Sequence, residues 1–134
     1  MSRFRRRRRG AAAVEFALVS PLLFTVAFGI IEFGRAFMVA ETLNTAARNG
    51  CRTAVLTGMT NLNVTSAVNQ NLTGISGTTT TILVNGYSSD VSSAVTGDSI
   101  TVQISVPYTQ VSMFASPTYL SATTLKANAV MRKE

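Results

Sequence analysis

The sequence predicts an α+β protein on a stalk. A long N-terminal transmembrane helix continues into a small outer domain with one short helix and a roughly three-stranded antiparallel sheet. Three observations predict it. The run "AAAVEFALVSPLLFTVAFGII" (11–31) is apolar apart from one charge, and it is long enough to cross a bilayer. From Glu32 to Thr57 helical patterning carries on without a proline. From Thr78 onward the composition turns to Thr, Ser, Val and Ile, which suit a pleated, half-buried surface.

Residues 1–10 form a basic leader. Arg3, Arg5, Arg6, Arg7, Arg8 and Arg9 make up half of the 12 basic residues. Beyond Gly10, the bases Arg35, Arg48, Arg52, Lys126, Arg132 and Lys133 are balanced by the acids Glu15, Glu32, Glu41, Asp90, Asp98 and Glu134. The formal net charge of +6 therefore belongs to the leader, and the folded part has no basic excess with which to hold a nucleic acid. Beside an apolar span, a block of arginines holds the N-terminus in the cytoplasm, so the C-terminal domain is expected outside, in the periplasm or beyond.

Residues 11–31 are the transmembrane segment. At 1.5 Å per residue they rise about 30 Å, one bilayer core. A cleaved secretory signal is the rival reading. Its apolar core is shorter, about 7–15 residues, and its small residues follow that core, whereas Ala11, Ala12 and Ala13 precede it here. Pro21 sits inside the run, where a freed carbonyl can be met by a nearby Ser or Thr.

Residues 32–57 are an extramembrane continuation of the same helix. Gly29, Phe33, Ala36, Ala40, Leu43, Ala47, Gly50 and Ala54 recur in steps of four and three, as one helix face does. Most are small, which lets a neighbour approach closely. The neighbour can be the chain's own domain or a copy or relative of the chain. Gly58 is a candidate C-terminal cap. A helix from about Val14 to Thr57 would be roughly 65 Å long, half of it outside the lipid.

Residues 58–134 are the outer domain. In "TNLNVTSAVNQNLTG" either Thr60 or Asn61 can cap a short helix, Val64, Ala67, Val68 and Leu72 share its face, and Gly74 can end it. Strands are expected at 78–84, 99–106 and 125–131. The second alternates strictly, with Ile100, Val102, Ile104 and Val106 on one face. The third puts Leu125, Ala127, Ala129 and Met131 on one side. Turns are expected at Asn85-Gly86 and Gly97-Asp98, and the segment carrying Pro107 and Pro117 reads as loop.

The chain has no His, no Trp and one Cys. That removes His-based metal sites, most nucleophile–base pairs and intrachain disulfides. Cys51 is expected as a small packing side chain; its other use would be a disulfide to a second chain. Asp90 and Asp98 lie in turn-rich sequence, where acids cap and turn rather than catalyse. The triplets Asn63-Val-Thr65 and Asn71-Leu-Thr73 match the glycosylation pattern, which chance accounts for in a chain this rich in Asn and Thr. No enzyme, cofactor, metal or small-molecule substrate is expected.

Glu15 is the anomaly in the span. A carboxylate in a membrane helix costs about 2.5–3.5 kcal/mol at the centre and less near an end. If the chain is cut after Gly10, Ala11 gains an ammonium one helical turn from Glu15, or within reach of it on an adjacent molecule. Each charge would then neutralise the other. The cut would also remove all six leader arginines.

The stretch "RRRRRGAAAVEFALVSPLLF" resembles a type IV pilin-like leader, and with "EFGRAF", "TAARNGCRTAVLTG", "DSITVQISVPYTQ" and "LKANAVMRKE" it is similar to the TadE-like proteins, minor pseudopilins of the tight adherence (Flp) pilus system. The middle, about 59–98, is similar only in general character. The resemblance implies a bacterial inner-membrane protein, possible incorporation into the pilus, and cleavage between Gly10 and Ala11 by a membrane prepilin peptidase whose site takes no side chain at Gly10. It implies Glu15 as the pilin-type acidic residue, and other pilin-like subunits and the assembly machinery as partners. Major pilins of the system carry Tyr after that Glu and are very short. Phe16 and the sizeable outer domain depart from both. The alternative is an unprocessed single-pass membrane anchor for a surface-binding domain.

Overall fold

Between Phe4 and Ala54 one α-helix (α1) runs without a break. The computed structural model describes residues 4–113 and 120–134; Arg3 and Pro117 lie outside them. The helix starts before the expected Val14 and runs through Pro21. Proline there frees the carbonyl of Ala17, four residues back. The Thr25 hydroxyl donates not to that carbonyl but to Pro21's own, at 2.7 Å. The helix ends at Ala54, short of the expected Thr57. The Leu56 N–H donates to Thr53 O at 3.2 Å, the shorter 3₁₀ step that often closes a helix. Gly58 is left-handed, φ 79°, but it serves the turn beyond the helix rather than its cap.

The chain divides into two units, Met1–Gly34 and Arg35–Glu134. In the first, the described side chains are almost all exposed, including Val14, Phe16, Leu18, Leu22, Leu23 and Phe24. The apolar stretch has a mean hydropathy of 2.1 over its best 18 residues, and its helix is long and apolar enough to cross a membrane. A helix apolar on every side is suited to lipid or to a protein core, and within its unit this one has no core around it.

The second unit is built on the C-terminal part of α1. A short helix, α2 (Asn61–Asn71), follows after Thr60. The Thr60 N–H donates to Asn63 Oδ1 at 3.0 Å, which satisfies one of the donors that a helix start leaves open. Val64, Val68 and Leu72 are buried, and the Asn49 side chain donates to that of Asn71 at 2.9 Å, tying α2 to α1. Three antiparallel strands complete the unit: β1 (Thr79–Val84), β2 (Ser99–Pro107) and β3 (Thr124–Arg132), in the order β1-β2-β3. Ile82 pairs with Val102 and Val102 with Ala129; Val84 pairs with Ile100 and Ile100 with Met131. Those rows form the core face, while Gln103, Lys126 and Asn128 point to solvent. All three strands lie within a residue or so of their expected places, because alternation on a half-buried sheet is a strong constraint.

The link after β1 opens with a tight turn. Asn85 (φ 51°) and Gly86 (φ 84°) both take the left-handed region, as a two-residue turn with reversed twist requires. Val84 and Tyr87 exchange backbone bonds across it at 2.8 and 3.0 Å. Pro107 ends β2 and leads into a 3₁₀ turn, Tyr108–Gln110, with Tyr108 buried.

Candidate functional site: an open junction and a covered stripe

The leader junction is open. Gly10, Ala11 and Glu15 are exposed and lie on α1. Four residues separate Ala11 from Glu15, so their side chains stand one above the other on one helix face. A Cβ built on Gly10 would meet nothing within 4 Å. Glycine inside a helix costs about 1 kcal/mol relative to alanine, and among the described residues no close packing offsets that cost. Phe16, next to Glu15, is exposed.

The helix stripe is different. Gly29 is half-buried and Phe33 is 47% exposed. Further along, Ala36, Leu43, Ala47, Gly50 and Ala54 are buried, and Ala40 is half-buried. A Cβ on Gly50 would stand 2.6 Å from Val68 Cγ2 of α2 and 3.3 Å from Val102 Cγ1 of β2. At Gly50, therefore, α2 and the sheet press close against α1. Leu43, Ala46, Ala47 and Ala54 form one core with Val64, Ile100, Ile104 and Val106. Burying a side chain such as Leu43 or Val102 contributes roughly 1.5–3 kcal/mol each, which makes this covered stripe the spine of the outer unit.

Several buried positions were not part of the expected stripe: Glu32, Val39, Ala46 and Cys51. The expected stripe repeats every 3.5 residues, whereas a straight helix turns every 3.6 and drifts about 20° per heptad from that repeat. Over its length the stripe must leave the covered face, and Phe33 and Ala40 are where it does. A 3.6-residue template drawn through Leu43 would have found Val39 and Ala46. Glu32, 3% exposed, is the sole buried charged residue in the described set; its charge kept it off an apolar stripe. Cys51 lies wholly inside the core, its thiol donating to Ala129 O at 3.2 Å. It serves as a packing residue, and a disulfide to another chain would require the core to open.

The two aspartates of the outer unit are used in turns. Asp90 accepts from the Ser92 N–H at 2.9 Å and caps the 3₁₀ turn Val91–Ser93. Asp98 accepts from the Val95 N–H and from the Asn85 amide, each at 2.8 Å. Those donors hold both carboxyls below their ordinary value. For Asp90 the main causes are the Ser92 backbone and side chain, and for Asp98 the Val95 backbone, then Asn85. The asparagines of the two glycosylation-like triplets are also engaged, Asn63 at the start of α2 and Asn71 with Asn49 and with Ala67 O.

Compared with known families, residues 10–52 match the family described as TadE-like protein. The matched segment opens at Gly10 and takes in Ala11, Glu15 and the stripe as far as Gly50. No curated protein and no solved structure matches the chain.

Proposed function

Taking as premise that residues 10–52 are TadE-like, and hence that the chain is related to the Tad pilus, we propose that it is a non-enzymatic minor pseudopilin. In this reading the chain enters the inner membrane with its leader in the cytoplasm. A prepilin peptidase cuts after Gly10, and the mature chain joins other pilin-like subunits through its apolar helix. The observation that carries the reading is the contrast at Gly10. The family match begins there, yet among the described residues no packing makes use of the missing side chain. A glycine that the fold does not need points to a requirement outside the fold, and a peptidase cleft that admits no side chain is such a requirement. After cleavage the Ala11 ammonium would partner Glu15, within one turn or across to a neighbour, in a medium where either charge alone is costly.

The experiment is the N-terminus of the protein from its native host. Cleavage predicts Ala11 as the first residue, and Gly10→Leu should leave full-length precursor in the membrane. A native protein that still begins at Met1 or Ser2 overturns the reading and makes the chain an unprocessed anchor. Normal maturation of Gly10→Leu would remove Gly10 from the recognition step.

A further inference from the structure

The outward side of α1 changes character at one level. Phe33, Phe37 and Met38 are exposed and apolar, Phe37 at 74% and Met38 at 63%. From Glu41 onward the exposed positions are polar or charged: Glu41, Thr45, Arg48 and Arg52. The two charges nearest below that level, Glu32 and Arg35, do not face outward. Glu32 is buried, and the half-buried Arg35 donates its Nε–H to Val111 O at 3.1 Å.

That bond also fixes the height of a loop. Val111 follows the 3₁₀ turn after β2, and Met113, two residues on, is 68% exposed. Two residues of chain reach at most about 7 Å, so Met113 lies near the level of Arg35. Around the helix, Phe37 and Met38 stand about 200° and 300° from Arg35. Exposed apolar groups at about this level therefore stand on the open face of the stem and, with Met113, on the loop tied to Arg35. A bilayer surface would meet the stem and the loop at a common height, directly past the end of the apolar run. The length agrees. From Ala11 to Met38 the helix rises about 40 Å, beyond the roughly 30 Å hydrocarbon core but within the 40–45 Å that includes the headgroup layers.

We propose that Phe37, Met38 and Met113 form a collar that seats the base of the outer unit in the phospholipid headgroup layer. The inference rests on residues 11–31 spanning the bilayer. It adds a second lipid contact, made by the outer unit itself, that extends past the end of the apolar run. Methionine and phenylalanine in the collar would sit at the acyl–headgroup boundary. Arg35 would keep its charge on the loop side, turned toward Val111.

The absence of tryptophan from the chain allows a direct test. Full-length Met113→Trp, Met38→Trp, Phe24→Trp and Leu62→Trp variants are each placed in phospholipid vesicles. Emission is quenched with lipids brominated just below the headgroup or near the acyl end, and with aqueous acrylamide. Met113→Trp and Met38→Trp should lose emission to the shallow bromines, and Phe24→Trp to the deep ones. Leu62→Trp, exposed on α2, should respond only to acrylamide. If Met113→Trp and Met38→Trp behave like Leu62→Trp while Phe24→Trp is quenched at depth, the span stands and the collar is refuted. If Phe24→Trp is not quenched by lipid, the span fails and the collar with it.

Discussion

Gly10 and Gly50 lie on the same helix and could hardly be more different. Around Gly10 a methyl group would meet nothing, whereas at Gly50 it would meet Val68 at 2.6 Å. Leu22 and Leu43 repeat the contrast, one exposed and the other with no exposed surface. Along the C-terminal part of α1, side chains are set by what the chain itself packs against them. Along the N-terminal part most of the described side chains are exposed, so packing within the unit accounts for little of their chemistry. A single helix thus carries two kinds of constraint, and each can be broken without the other.

The largest effect is expected from Leu43→Ala. It empties a fully buried site at the centre of the outer core and should cost about 2–5 kcal/mol. Denaturant unfolding of the full chain in detergent, followed at the outer unit by far-ultraviolet circular dichroism, would measure it. Leu22→Ala should move the same transition by less than about 0.5 kcal/mol. Equal effects from the two leucines would dissolve the distinction between the halves.

Gly50→Ala sharpens the contrast with one methyl group. Val68 is buried and β-branched, so it has few rotamers with which to retreat. Overpacking of this kind costs about 1–3 kcal/mol. Gly10→Ala should leave the outer transition unchanged, and any effect on the helix should favour it, by up to about 1 kcal/mol. Tolerance of alanine at Gly50 would mean that α2 can move away from α1 at no cost, and that Gly50 is no closer to a fixed contact than Gly10 is.

The same division explains what could be read in advance. The strands were legible because β2 alternates without exception from Ile100 to Val106, and a register slip would turn all four apolar side chains to water. The helix α2 was legible from Thr60 and from the spacing of Val64, Val68 and Leu72. The tight turn was legible at Asn85-Gly86, where side-chain chemistry and backbone conformation agree. The end of α1 was less so, since a left-handed Gly58 serves a turn as well as a cap. The Arg35–Val111 bond was not legible at all, because it depends on a loop seventy-odd residues away in sequence. At the junction, the residues Gly10, Ala11 and Glu15 announced themselves by type and spacing. That a side chain at Gly10 would meet none of the described residues is something only the structure could add.

The smallest expected effect concerns acid. Asp98 accepts from the Val95 N–H and the Asn85 amide, which lowers its carboxyl from the ordinary value of 3.8. Asp90 is lowered in the same direction by Ser92. A carboxyl with a depressed folded-state value binds its proton more readily when the chain is unfolded. Its contribution is therefore fully present above 3.8 and is lost as the pH falls below that value through the folded one. The outer unit should thus keep a constant midpoint from neutrality down to about pH 4 and soften below it. Asp98→Asn should flatten part of that decline, because its amide can still accept from Val95 but has no proton to gain in this range. The apolar helix has no turn carboxylates of this kind, so its helical signal in detergent should persist through the same acid range. Loss of both signals together would mean that the two parts of α1 unfold as one, and the comparison between Gly10 and Gly50 would have to be drawn within a single cooperative unit.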